Sequence, residues 1–318
     1  MQTTNHLLMV RPVRFAFNDE TATNNAFQQR DTTHEAALNT ARQAVREFDA
    51  YVALLRENGV IVEVLQDTPE PFTPDSIFPN NCFSTHVDEN GRTTLVLYPM
   101  FAPNRRLERT KSLKLLNTMH WDRLVDFTHW EERGEFLEGT GSIILDRVHH
   151  IAYACRSPRT SEVVLEEWAK TMDYDYLLFD CQDEHGTPVY HTNVVMHVGT
   201  NKAVVCLESI HDEEQREQLL QRLQQTGKQV VPISRAQMKS FAGNMLEVRS
   251  VEGKPLLVMS QTAKRSLTPQ QLDILKQDTK ILAPDIPCIE TAGGGSARCM
   301  IAELFNPQTS IINNVNSL

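Results

Sequence analysis

The sequence predicts a single α/β domain over residues 1–318, built from five pseudosymmetric ββαβ-like repeats closed around a central site. Three observations carry that expectation. Amphipathic helical stripes followed at once by a short apolar strand occur five times. Hairpin-like pairs of apolar runs stand between those units. Their turns fall roughly 52 to 57 residues apart, the spacing of an internal repeat. A doubly wound sheet also alternates helices and strands, but it does not place a hairpin between every pair, so the closed arrangement is preferred.

Along the chain, the first helix is expected over residues 33–58, where Leu38, Ala41, Val45, Phe48, Val52 and Leu55 form a one-sided stripe. Gly59 stops it, and Val60-Ile61-Val62-Glu63-Val64-Leu65 reads as a strand. The same order recurs at 104–119 with 123–125, at 158–172 with 176–179, and at 212–225 with 229–231. The fifth copy opens on a capping box, Thr268-Pro269-Gln270-Gln271, and leads to Lys280-Ile281-Leu282. Hairpin turns are expected at Glu89-Asn90-Gly91, Asp146-Arg147, Gly199-Thr200-Asn201 and Glu252-Gly253. A closing helix is expected over residues 297–305.

A net charge of −10 argues against nucleic acid or an anionic membrane as partner, though a local basic pocket survives an acidic total. The N-terminus has no signal-like apolar segment and no run nears a membrane span, so a soluble, cytoplasmic protein is expected. Six scattered cysteines without a CxxC pair suit reduced thiols, not a disulfide framework or a zinc site. Cys155, Cys181 and Cys206 lie in apolar runs and read as core, as do Trp121, Trp130 and Trp168 as packing residues. His149-His150 has no third ligand in view, and no metal or other cofactor is expected.

The chemistry gathers at one phase of the repeat. Just before or at the first hairpin strand of each copy stand Asn80-Asn81, Glu138-Gly139-Thr140-Gly141, His191-Thr192-Asn193, Gly243-Asn244 and Cys299. Closure around an axis brings these together, and polar groups buried there must be paired. Cys299 follows Gly293-Gly294-Gly295-Ser296-Ala297-Arg298, at the expected first turn of the closing helix. Free N–H groups, a helix dipole and a guanidinium would all favour its nucleophilic thiolate. His191 is the best proton shuttle among eleven histidines, since it opens an apolar run where a histidine is disfavoured. Asn193 is expected two residues on, along the same strand face. Glu138 is expected to hold His191 protonated or to grip substrate N–H groups.

Glu138-Gly139, His191-x-Asn193 and Gly293-Gly294-Gly295-x-x-Arg298-Cys299-Met300 resemble the motifs of the guanidino-group-modifying, or pentein, superfamily. Arginine deiminase, dimethylargininase and the amidinotransferases belong to it. The resemblance runs in order through Asp75-Ser76-Ile77-Phe78-Pro79-Asn80-Asn81, Glu138-Gly139, Ser157-Pro158-Arg159-Thr160-Ser161, His191 and Cys299. It implies a five-fold αβ-propeller and a metal-free Cys-His-Glu site. Cys299 would then be the nucleophile, His191 the general acid/base and Glu138 its partner or that of a substrate nitrogen. Arg159 would grip the substrate carboxylate by a bidentate contact, and Asp75 would join the substrate-binding set.

Two departures set the expected substrate. Arginine-processing relatives carry aspartates where this chain has Asn81 and Asn193. An amide is neutral and offers both donor and acceptor, whereas a carboxylate only accepts. A guanidinium would lose charge-assisted hydrogen bonds worth about 1.5–3 kcal/mol each. A neutral ureido group suits the amides, so the chain resembles the citrulline-hydrolysing branch, which would yield ornithine, CO2 and ammonia. The alternatives are an arginine deiminase, dihydrolase or dimethylargininase-like enzyme, an amidinotransferase, or a non-catalytic pentein acting as a binding protein. A small amino-acid substrate is the expected partner, and self-association into a homo-oligomer is left open.

Overall fold

A computed structural model of the protein describes residues 1–30 and 33–306, so the domain expectation over 1–318 also takes in residues outside it. Its strands form five separate three-stranded sheets. β1 (His6–Arg11) and β2 (Ile61–Gln66) pair in parallel across the helix His34–Glu57. The first full blade holds β3 (Phe83–Val87), β4 (Thr93–Leu97) and β5 (Arg123–Asp126). The second holds β6 (Ile143–Asp146), β7 (Ile151–Cys155) and β8 (Asp175–Phe179). The third holds β9 (Met196–Val198), β10 (Lys202–Val205) and β11 (Gln229–Pro232). The fourth holds β12 (Leu246–Arg249), β13 (Pro255–Val258) and β14 (Lys280–Leu282). β15 (Ala302–Glu303) completes the fifth blade by pairing antiparallel with β1.

In every blade the middle strand runs antiparallel to one neighbour and parallel to the other, as a hairpin followed by a helical crossover requires. All four expected hairpin turns lie between paired strands. The fifth blade joins the two ends of the described chain, and Thr4 Oγ1 adds a hydrogen bond to Leu304 O at 2.9 Å. Closing the ring through the termini leaves no blade without a neighbour.

The helices start where the sequence supplies caps. Thr33 and Asp212 accept first-turn N–H groups, and Thr268 with Gln271 forms the expected capping box on Pro269–Lys276. On His34–Glu57 the buried face is Ala44, Phe48, Tyr51 and Leu55, while Leu38 is 47 % exposed, so the helix docks by its C-terminal half only. Cys155, Cys181 and Cys206 are buried and free, Trp168 is fully buried, and Trp130 is nearly so. No helix among the described residues is long and apolar enough to cross a membrane.

Two local expectations fail. Residues 297–300 form a turn and Ala302–Glu303 a strand, not a closing helix. Pairing with β1 overrides the helix-forming composition of that stretch. The helix Pro287–Gly293 instead ends just before the Gly-rich turn, capped by Gly294 at φ +63. Cys299 therefore does not sit at a helix N-terminus. Nor does His191 open a strand: Thr192–Val195 is a single helical turn, and β9 begins only at Met196. Comparable turns at Pro79–Asn81 and Gly139–Ser142 precede β3 and β6.

Candidate active site

These single turns crowd around the axis and present the polar residues. Gly141 shows how tightly. A Cβ added there would lie 2.2 Å from Asn81 Nδ2 and 2.9 Å from the His191 ring. Glu138 and His191 come from neighbouring blades and meet at 2.7 Å, Oε2 to Nε2. Glu138 Oε1 accepts the Phe101 N–H at 2.9 Å, and Arg159 Nη1 stands 3.5 Å from Oε2. All three side chains are buried, with Arg159 only 1 % exposed, so it is not a surface residue at a helix start.

Cys299 is 3 % exposed and sits in a turn held from several sides. Tyr51 OH donates to Ala297 O at 3.1 Å and Tyr190 OH to Gly294 O at 2.6 Å. Ser296 Oγ donates to Glu290 Oε1, and Arg298 Nη1 and Nη2 reach Ile301 O and Glu303 Oε2 at 3.0 and 3.2 Å. Two side-chain amides reach the sulfur: Asn193 Nδ2 at 3.3 Å and Asn244 Nδ2 at 3.2 Å. Asn193 Oδ1 is buried without a partner, an acceptor left open beside the thiol. The hydrogen-bonding surroundings orient Asn80 with its amide N–H toward Cys299 O at 2.7 Å.

Asn81 Nδ2 makes only a long contact, 3.4 Å, to Glu138 O, while its Oδ1 accepts from Arg105 Nη1 at 3.0 Å. Arg105 is buried and also paired through Nε and Nη2 with Glu108. Asp75 Oδ2 accepts from Asn18 Nδ2 at 2.7 Å and from Thr21 OH at 3.1 Å, and Asp75 Oδ1 is buried and unpartnered. Arg159 in turn donates to Asn24 Oδ1 at 2.8 Å and Thr21 O at 3.0 Å. Residues 18–28 thus cover the site, and Gln28 Nε2 ties them to Gly293 O. A cavity of about 520 Å³ lined by Asn24, Phe27, Tyr190 and Phe241 lies alongside, and Cys299, His191 and Glu138 do not line it. The covering segment and Arg105 are invisible to sequence reasoning, because their contacts come from distant chain with no local pattern. Asn244 belongs to the set that the repeat phase brings together, but the sequence gives it no role there.

Electrostatics decide the resting protonation. Burial pushes His191 down to about 4 from its ordinary 6.5, with Arg159 and Arg105 adding to the fall against the opposing Glu138. For Glu138, burial acts upward, but Arg159, His191 and Arg105 together bring it to about 2 from 4.5. These directions favour a neutral imidazole hydrogen-bonded to a carboxylate over a protonated histidine, one of the two expectations for Glu138. Because a carboxylate only accepts, Nε2 carries the proton and Nδ1 is left as the base.

These shifts predict a pH dependence of stability. Between about pH 6.5 and 4 the unfolded chain binds a proton at His191 that the native state refuses, so stability falls as pH drops through that window. The depressed Glu138 stabilises fully above about pH 4.5 and loses that contribution as pH falls toward 2. Urea unfolding midpoints are expected to decline from pH 7 to 5, less steeply in His191→Gln. Equal slopes in the two proteins would contradict the assignment.

Among the described residues no group of three or more His, Cys, Asp or Glu side chains is arranged to hold a metal ion. A five-bladed αβ-propeller that gathers a cysteine, a histidine and a glutamate is the arrangement of a pentein of the guanidino-group-modifying superfamily, in which the family matched by this chain lies. Residues 11–306 match the family described as N,N dimethylarginine dimethylhydrolase, eukaryotic, and the chain belongs to it. It is a hydrolase acting on C–N bonds, which sets aside a non-catalytic binding pentein.

Solved structures share the fold. The N-terminal domain of ArgZ, an arginine dihydrolase of the cyanobacterial ornithine–ammonia cycle, is 14% identical with a TM-score of 0.72, covering 94% of this chain and 97% of that one. Unliganded AgrE is 17% identical with a TM-score of 0.72, covering 94% of this chain and 39% of its own. A dimethylarginine dimethylaminohydrolase adduct with S-methyl-L-thiocitrulline is 14% identical with a TM-score of 0.64, covering 96% and 100%. No curated protein matches the sequence.

Proposed function

We propose that the protein hydrolyses the ureido group of citrulline, yielding ornithine, CO2 and ammonia through a covalent intermediate on Cys299. The observation that carries this reading is the pair of neutral amides, Asn81 and Asn193, at the positions where the resemblance to arginine-processing enzymes expects aspartates. The open acceptor Asn193 Oδ1 suits a ureido N–H, and Asn81 Nδ2, whose protein contact is long, suits the ureido carbonyl. Neither amide supplies the counter-charge that a buried guanidinium requires. Arg159 and Asp75, both of which also bond polar groups of residues 18–24, suit the carboxylate and ammonium of an α-amino acid.

In the proposed cycle, neutral His191 takes the proton of the Cys299 thiol and the thiolate adds to the ureido carbon. The C–N bond to the ornithine nitrogen breaks as His191 returns that proton to the leaving amine. The carbamoyl thioester is then attacked by water, whose proton passes through His191 back to sulfur. Carbamic acid departs and decays to CO2 and ammonia. Glu138 stabilises the imidazolium at each transfer.

A second reading, hydrolysis of arginine or a methylated arginine, is favoured by the family's own name and by the likeness to ArgZ, an arginine dihydrolase. Ammonia and ornithine release from citrulline, arginine and dimethylarginine, measured side by side, separates the two. Turnover of citrulline at least tenfold above the others is expected, roughly the effect of one well-placed hydrogen bond. Turnover of arginine with inert citrulline would overturn the assignment.

A further inference from the structure

With Cys299 in a turn and the preceding helix ending before it, the sulfur does not sit at the N-terminus of the helix expected there. The neighbouring guanidinium is committed elsewhere, since Arg298 is held by Ile301 O and Glu303. The side-chain donors on Sγ are Asn193 Nδ2 and Asn244 Nδ2, at 3.3 and 3.2 Å. We propose that these two amides form a cradle for the Cys299 thiolate, making Asn244 a further catalytic residue.

The orientation of Asn244 is fixed by its other partners. Its Oδ1 accepts the Arg298 backbone N–H at 3.0 Å, so its NH2 group must face the other way. There it meets two acceptors, Cys299 Sγ and Asn193 O at 3.0 Å, one for each hydrogen. Reversing the amide would set oxygen against both acceptors and NH2 against an N–H. The side chain is fully buried, so no solvent competes for these bonds.

The backbone is shaped to deliver that amide. A Cβ at Gly243 would stand 2.2 Å from Val194 O, so only glycine lets the fourth blade approach the third this closely. Two residues earlier Phe241 is left-handed at φ 61, a conformation a bulky side chain adopts only at a cost. A thiolate accepts N–H bonds far better than a neutral thiol, so two fixed donors favour the charged form and lose least when it forms. The same donors remain for the sulfur when the thioester breaks and the thiolate is expelled.

This inference rests on Cys299 as the nucleophile but not on the identity of the substrate. Iodoacetamide labelling of the full-length protein, followed across pH by mass spectrometry of the peptide carrying Cys299, needs no substrate. Asn244→Ala and Asn193→Ala are each expected to slow labelling at neutral pH by roughly tenfold or more and to move the profile to higher pH. Asn244→Asp should be slower still, because it keeps the acceptor for the Arg298 N–H but replaces the donor with negative charge. A purely structural role predicts the reverse: aspartate would restore the wild-type profile. If Asn244→Asp does not fold, Asn244→Ser supplies a smaller donor and should recover part of what alanine loses. Labelling within about twofold of wild type in Asn193→Ala and Asn244→Ala, or no recovery with serine, would overturn the cradle.

Discussion

Cys299→Ala is expected to lower ammonia release from citrulline by roughly four orders of magnitude or more, with the fold intact. A ureido carbon is stabilised by two nitrogens and an oxygen, so direct attack by water is slow. In the proposed cycle the thiolate splits that step into two, with a carbamoyl thioester between them. The contacts that hold the turn, from Tyr51 OH to Ala297 O and from Asn244 Oδ1 to the Arg298 N–H, do not involve the sulfur. Thermal unfolding should therefore shift by only a few degrees, as expected for a loss of about 1–2 kcal/mol. Rapid quenching of the wild type with citrulline should reveal a protein heavier by one carbamoyl group, absent in the variant. A variant retaining a tenth of the activity would sink the covalent pathway.

The contrast between what is legible in the sequence and what is not follows from the range of the interactions. Repeating helix–strand units announce themselves because apolar stripes and caps act within a few residues, as at Thr268-Pro269-Gln270-Gln271. The repeat phase then points at Glu138, His191 and Cys299 without knowledge of any contact. The structure brings Glu138 and His191 to 2.7 Å and sets Asn193 against the sulfur. The closing segment reads as a helix because Ala297-Arg298-Cys299-Met300 favours one locally. Its partner, β1, lies nearly the whole chain away. The same holds for Arg105 and for residues 18–28, whose bonds to Asn81, Asp75 and Arg159 carry no sequence period. Without the helix dipole, stabilisation of the thiolate falls to side-chain amides, which a residue pattern cannot orient.

Glu138→Gln is expected to cost about three to four orders of magnitude in turnover while leaving the site filled, through the tautomer of His191. Glu138 Oε2 accepts from His191 Nε2, which leaves Nδ1 as the nitrogen that takes the thiol proton in the proposed cycle. Glutamine occupies the same volume and can still accept the Phe101 N–H through its Oε1. Its NH2 group would then face Nε2, which must become the acceptor, and the proton would move to Nδ1. The imidazole would present a donor where the mechanism needs a base. Loss of the carboxylate also leaves Arg159 and Arg105 without this counter-charge, which raises the cost of forming an imidazolium beside them. Citrulline binding should change little, because the Glu138 carboxylate is engaged by His191, the Phe101 N–H and Arg159, while Asn81 touches Glu138 only at its backbone carbonyl, which glutamine keeps. The expected signature is therefore a collapse of kcat with KM within a few-fold of wild type, and a nitrogen NMR spectrum of His191 showing the exchanged tautomer. A loss confined to KM would instead place Glu138 on the substrate nitrogen.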